Sequence, residues 1–268
     1  MIYIMVDGSY YCFYRYYALC NWWKNAHPDQ ELGEPVSNPI FVEKFRSTFV
    51  SKLKELVKLV KRGLPKDTEV TMWVGKDCHR CNIWRMDVFP QYKANRTTDD
   101  SFMGGPFFAM AYNDDLFIEG GCGKVLKYPR LEADDCIALT AKHILNTEPD
   151  SHVWIIASDA DYLQLGNPRI HIVDLKMKPI NLAKKWSGDA QTDLFYKIVM
   201  GDPSDGIPAI VPKCGIKTAM KYHENPSLLE KVLQTNPTAA DNLARNRRLI
   251  DFSYIPTDLI QGFEKKYL

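Results

Sequence analysis

Carboxylates recur in this chain where short apolar runs end. Asp7 follows I-Y-I-M-V, Asp77 follows the run V-T-M-W-V, and Asp159 and Asp161 follow V-W-I-I-A-S. Two more acidic groups, Glu132-Ala133-Asp134-Asp135 and Asp202-Pro203-Ser204-Asp205, stand where helices or turns begin. An open parallel sheet delivers the C-terminal ends of its strands to one crevice, so acids far apart in sequence would converge there. Like charges sharing a pocket raise one another's pKa or push the pocket open. A hard divalent cation with oxygen ligands, Mg²⁺ or Mn²⁺, is the natural neutraliser. The chemistry this indicates is metal-assisted phosphoryl transfer. Each group alone has a plainer explanation, because acids favour helix N-termini through the dipole and Asp-Gly is an ordinary turn. The joint occurrence at so many element ends carries the inference.

The cations are local rather than global, since the net charge is only +1. Lys76, Arg80, Arg85, Lys93 and Arg96 fall in one stretch, Lys213, Lys217 and Lys221 in another, and Arg245, Arg247 and Arg248 in a third. Between 201 and 221 the glycines and prolines of G-D-P-S-D-G-I-P set a tight hairpin between helices, and Gly215 precedes a helix start. Backbone N–H groups at such a start hold phosphate, with Lys213, Lys217 and Thr218 beside them. Contacts of that kind grip a nucleic-acid backbone without reading sequence.

The elements that must position these groups follow from periodicity. Residues 1–6, 69–74, 152–157 and 169–174 are short apolar runs that predict buried strands, with a weaker one at 124–128. Residues 8–25 are dense in aromatics and predict a helix; most of these rings belong to the core, with Tyr14 or Tyr17 as candidates for stacking on a base. Asn38-Pro39 reads as a cap with proline in the first turn, followed by a helical stripe to Gly63. A further helix is predicted over 132–146. Residues 97–123 lack a clean period and carry paired glycines, which predicts a long, partly mobile insertion. Beyond 187 the pattern is helical. The order βα, βα, βαβ predicts an α/β fold with a parallel sheet flanked by helices (residues 1–186) and a C-terminal helical part (187–268).

With 268 residues, 46% of them hydrophobic, the chain has ample material for a core. Seven cysteines without a framework of spacings indicate reduced thiols. Cys78-His79-Arg80-Cys81 offers one C-x-x-C without the second pair a tetrahedral zinc site needs. His143 and His171 fall in apolar patterns and read as structural. No apolar run reaches the roughly 20 residues of a bilayer span. The expectation is a soluble, monomeric, intracellular protein with no membrane partner.

Taken in order, Asp7, the run from Trp84-Arg85-Met86-Asp87 to Tyr92-Lys93-Ala94-Asn95-Arg96, Glu132-Ala133-Asp134-Asp135, Ser158-Asp159-Ala160-Asp161 and the hairpin G-D-P-S-D-G-I-P resemble the flap endonuclease/5′-3′ exonuclease family. The pattern is nearest its RNase H branch from T-even bacteriophages, and the likeness spans nearly the whole chain, including 249–256. The resemblance implies a Rossmann-like (PIN-type) catalytic domain. It implies a first metal site from Asp7, Asp77, Glu132 and Asp134 with Asp135 close by. Asp159, Asp161 and Asp202 would form the second, with Asp205 near. Lys93 and Arg96 match the basic pair beside the scissile phosphate, and 97–123 the helical arch above it. Arg85, Lys93, Arg96, Lys213, Gly215, Lys217 and Thr218 would contact DNA. The stretch 201–221 matches a helix–three-turn–helix element, which in relatives also binds K⁺; here A-I-V-P-K-C-G replaces a shorter, glycine-richer turn.

The activity implied is divalent-metal-dependent 5′-3′ exonuclease and flap endonuclease cleavage of RNA/DNA and DNA/DNA duplexes. The biological setting would be primer removal in phage replication in the host cytoplasm, alongside a single-strand-binding protein or sliding clamp. A PIN-type single-strand endoribonuclease and a non-cleaving junction-binding protein are the alternatives. Duplex preference and Mg²⁺ dependence separate them.

Overall fold

In the computed structural model, which describes residues 1–96, 101–182 and 186–268, five parallel strands form one sheet in the order β3-β2-β1-β4-β5. The strands are β1 (Ile2–Asp7), β2 (Val70–Gly75), β3 (Cys122–Leu126), β4 (His152–Ile156) and β5 (Ile170–Val173). Ile4, Met5 and Val6 of β1 are wholly buried, as a central parallel strand covered on both faces requires. Register pairs Asp7 with Gly75 and Gly75 with Leu126. The ends of β1, β2 and β3 therefore share one row.

One face of the sheet is covered by α1 (Gly8–Ala26), α2 (Pro39–Val60), α4 (Gly105–Asn113) and α5 (Leu116–Glu119), with the short α3 (Arg85–Val88) lying between β2 and α4 in the chain. Asn38 caps α2 by accepting the N–H groups of Ile40 and Phe41, Pro39 occupies the first turn, and Phe41, Phe45, Phe49, Leu53, Leu56 and Val60 form the buried stripe. The other face is covered by α6 (Ala133–Thr147) and by the end of the chain. The helices α7 (Ala190–Met200), α8 (Ile216–Glu224), α9 (Pro226–Thr235) and α10 (Pro237–Ile250) form the helical part.

Two sequence expectations change. Residues 105–123 are packed rather than a free-standing insertion: Phe107 and Ala111 of α4 and Leu116 and Phe117 of α5 are buried in the core. Pro106 sits in the first turn of α4, where a missing N–H costs nothing. Residues 97–100 of the proposed arch lie outside the described residues. The division at 186/187 also separates sequence better than it separates cores. Phe252, Ile255 and the α11 (Thr257–Tyr267) residues Leu259 and Phe263 return to the sheet and pack with α6. The seven cysteines are free thiols.

Candidate metal centre and nucleic-acid interface

Asp7 ends β1 and caps α1: one carboxylate oxygen accepts the Tyr10 N–H at 2.9 Å, the other the Tyr162 hydroxyl at 3.0 Å. Asp77, just past β2, accepts the Ser9 hydroxyl at 2.6 Å and the Ala133 N–H, at the start of α6, at 2.9 Å. It thereby ties the ends of two strands to the acidic helix. Burial, with Asp77 beside it, pushes the Asp7 carboxyl up to about 6.

The acids at the head of α6 divide by role. Asp135 is fully buried; its oxygens take Arg85 at 2.7 and 2.9 Å, the Trp84 indole N–H at 3.0 Å and the Glu132 N–H at 3.1 Å, completing a capping box. Arg85 also donates to Glu132 at 2.8 Å and to the Leu249 carbonyl at 2.7 Å. Arg85 is 2% exposed. It is therefore an internal counter-ion and has no surface to offer DNA, contrary to the sequence expectation. Asp135 is correspondingly a structural acid, although it lies within ligand distance of Glu132 and Asp134. Among the described residues the Asp134 side chain makes no hydrogen bond beyond the Asp135 N–H, and burial and Asp135 push its carboxyl well up. Burial works against the Glu132 charge, but Lys93 and Arg85 hold its pKa below the ordinary carboxylate range.

The second group gathers Asp161, Asp202 and Asp205, whose ligand oxygens lie within 4.8 Å of one another. Asp159 caps the turn that carries Asp161 and is half-exposed beside them. Lys197 of α7 reaches into this group, pairing with Asp161, lying 3.1 Å from Asp202 and 3.6 Å from Asp159. Even so, burial pushes the Asp161 carboxyl up to about 7. Among the described residues the buried Oδ1 of Asp161 has that lysine and no other donor.

The two groups touch. The Tyr92 hydroxyl lies 3.0 Å from both Glu132 and Asp205. Lys93 pairs with Glu132 and lies 3.8 Å from Asp205, while Arg96 pairs with Asp205. Bonds to the hairpin backbone follow the same route: the Lys93 N–H donates to the Asp205 carbonyl at 2.7 Å, the Asn95 side-chain amide to the Pro203 carbonyl at 2.6 Å and the Arg96 Nε to the Ser204 carbonyl at 3.2 Å. Apart from Asp135, the predicted acids thus gather at one crevice, though the partition differs: Glu132 and Asp134 form one group, Asp161, Asp202 and Asp205 the other, and Asp7, Asp77 and Asp159 flank them. Carboxylates left at raised pKa among too few cations are what divalent ions relieve. Oxygen-only donors fit Mg²⁺ or Mn²⁺ rather than a thiolate metal.

The hairpin at 201–208 needs both its glycines. Gly201 and Gly206 have positive φ (67° and 70°), and a Cβ on Gly201 would meet the Ile207 carbonyl at 2.4 Å or a little more. Buried Asn246 of α10 pins the hairpin by donating to the carbonyls of Ile198 at 3.0 Å and Pro208 at 2.8 Å. Lys213, Gly215 and Lys217 are exposed at the head of α8, with Thr218 half-buried behind them.

The family described as "5′-3′ exonuclease, N-terminal resolvase-like domain" matches residues 2–189. The chain belongs to that family. Its members are phosphodiester hydrolases, and this protein is a nuclease of the same kind. It is 27% identical over 236 residues to a 5′-3′ exonuclease of Buchnera aphidicola, covering 85% of this chain and 72% of that one. It is 32% identical to DNA polymerase I of Mycobacterium bovis, covering 92% of this chain but only 27% of the polymerase. Among solved structures, the T5 D15 protein co-crystallised with metal ions superposes with a TM-score of 0.67 at 20% identity, over 99% of this chain and 98% of the other. A T5 D15 flap endonuclease complex with DNA and metal ions gives 0.66 at 18% identity, over 99% and 97%. These likenesses establish the parallel sheet with its helical part. Among the described residues no helix is long and apolar enough to cross a membrane.

Lys197, Tyr162 and Ser9 went unread in the sequence, and Tyr92 was read as part of a motif without a role. Lys197 sits inside a regular helix and carries no motif, and the two tyrosines look like core aromatics. The one available signal was spacing: Lys197 stands on the helix that leads directly into Asp202.

Proposed function

We propose that the protein is a divalent-metal-dependent 5′-3′ exonuclease and flap endonuclease acting at the 5′ ends of RNA/DNA and DNA/DNA duplexes. The observation that carries this is the convergence of Asp7, Asp77, Glu132, Asp134, Asp161 and Asp202 beside Lys93, Arg96 and Lys197, with the 201–221 hairpin adjoining. Glu132 and Asp134 would hold one ion and Asp161 and Asp202 the other, with Asp7, Asp77 and Asp159 completing the pair and Asp205 acting through water. Two ions, Mg²⁺ or Mn²⁺, would supply an activated water and neutralise the leaving 3′ oxygen. Lys93 and Arg96 offset charge gathering on the phosphoryl oxygens. Tyr162 and Ser9 orient Asp7 and Asp77, and Arg85 with Tyr92 fixes Glu132. The head of α8, with Lys213, Gly215, Lys217 and Thr218, grips the duplex backbone, and K⁺ held by hairpin carbonyls would strengthen that grip. Primer removal in phage replication in the host cytoplasm, with a single-strand-binding protein or clamp as partner, is the role that fits such substrates.

Asp134→Asn, assayed on a 5′-labelled RNA/DNA hybrid with Mg²⁺, is expected to lose at least about 10²-fold in rate, about 2.7 kcal/mol of transition-state stabilisation, while duplex binding persists. Undiminished cleavage ends the proposal.

A further inference from the structure

The row of strand ends does not stop at the acids. Across β1, β2 and β3, Asp7, Gly75 and Leu126 stand in register, and the next residues of β2 and β3 are Lys76 and Lys127. Lys76 directly precedes Asp77, so cations take over from carboxylates within one residue of the crevice. Neighbouring strands lie about 4.8 Å apart, which sets the two lysines side by side along the margin. Lys124 and Lys266, both exposed, stand on the other face of β3 with α11. Among the described residues none of these lysines makes an ion pair with a carboxylate.

The arrangement is held in place. Lys76 lies 3.9 Å over the Tyr112 ring, and Lys124 lies 4.4 Å over Trp73 while donating to the Tyr267 carbonyl at 3.0 Å. The Tyr267 hydroxyl accepts the Lys127 N–H at 3.1 Å and donates to its carbonyl at 2.7 Å, and Lys266 donates to the same carbonyl at 3.3 Å. Like charges fixed this close raise the energy of the protein alone, and an arriving anion relieves it.

The side of the crevice identifies the anion. The hairpin joins α7, whose Lys197 faces the acids next to β4, whereas β3 is the opposite margin of the sheet. On the nuclease reading, a duplex held at the hairpin with its scissile phosphate over the carboxylates would carry the strand beyond the cleaved bond toward the β3 margin. We propose that Lys76 and Lys127 are phosphate contacts for the single-stranded 5′ overhang. This deepens the nuclease reading and rests on it.

The test is equilibrium binding of Lys76→Gln/Lys127→Gln across a salt series, with Ca²⁺ replacing Mg²⁺. Two substrates are compared, a duplex with a 5′ single-stranded overhang and the same duplex without one. Lys54→Gln/Lys58→Gln on exposed α2 positions serves as a control with the same charge change. For the overhang substrate the slope of log K against log salt is expected to fall by about 1.4, at about 0.7 per single-strand contact. The flapless slope and the control variant should match wild type. An unchanged slope on the overhang substrate, or an equal fall on both substrates, overturns the assignment. Failure of the wild type to bind and cleave any 5′-ended duplex would instead overturn the nuclease reading.

Discussion

Replacing Arg85 by methionine gives the sharpest test of how the acid crevice is built. The guanidinium is 2% exposed and serves Asp135 bidentately, Glu132 and the Leu249 carbonyl. Methionine fills much of the volume but leaves the Asp135 carboxylate buried with only the Trp84 and Glu132 N–H groups. Breaking a buried pair on one side costs about 3–5 kcal/mol, out of a total stability of about 5–15 kcal/mol. At about 2–4 °C per kcal/mol for chains approaching this size, the melting temperature should drop by roughly 6–20 °C. Urea unfolding should move in parallel. Arg85→Met/Asp135→Leu, which removes the orphaned charge, should regain stability relative to the single variant. If Arg85 were a DNA contact, stability would stay within about 0.5 kcal/mol and the salt dependence of binding would weaken by about one contact. A melting temperature unchanged in Arg85→Met, with such a loss of binding, refutes the structural role.

Lys197→Met should destabilise the divalent-free protein by about 3 kcal/mol, because Asp161 and Asp202 lose their shared cation; added Mn²⁺ should then raise its melting temperature more than that of wild type, and an equal rise counts against the ion sharing this pocket. Gly8→Ala should cost about 1–3 kcal/mol, since the new methyl meets the Tyr112 hydroxyl and the Gly75 carbonyl at 2.5 Å; a stabilised protein would show that the helix-propensity gain prevails. The rings of His152 and His171 are 8° from parallel with nitrogens 3.2 Å apart and centroids 5.5 Å apart, so they meet edge to edge within hydrogen-bond reach. Burial, with His152 beside it, lowers the His171 pKa, so the unfolded chain binds protons first. Stability should be fully present above about pH 6.5 and decline below it; urea midpoints of His171→Gln that keep the wild-type slope between about pH 5 and 7 would contradict this.

Much of the fold was legible because its signals are local. Continuous apolar runs such as 152–157 exist only to be covered on both faces, and the Asn38-Pro39 start of α2 is a matter of adjacent backbone groups. The stretch 105–119 was opaque because short helices offer too few turns for a period to emerge. Phe107 with Ala111, one turn apart after a proline, was the available clue. At the site, residue type located the acids but not their direction. Asp134 and Asp135 are neighbours in sequence, yet one faces the crevice and the other closes a capping box on Arg85. Arg85 and Lys93 read alike as cations in one basic stretch, and only the tertiary fold separates the fully buried Arg85 from Lys93, which keeps a partly exposed side chain.

The three ties from the Lys93 N–H, the Asn95 amide and the Arg96 guanidinium to the carbonyls of Asp205, Pro203 and Ser204 bear on how this enzyme could be rebuilt. They make the hairpin and the 91–96 turn a single stitched unit, even though more than a hundred positions of chain intervene. A chimera that borrowed another protein's hairpin alone would tear that seam and tilt the basic pair away from Glu132. Successful transplants will move both pieces together, with Asn246 as the pin that travels with them.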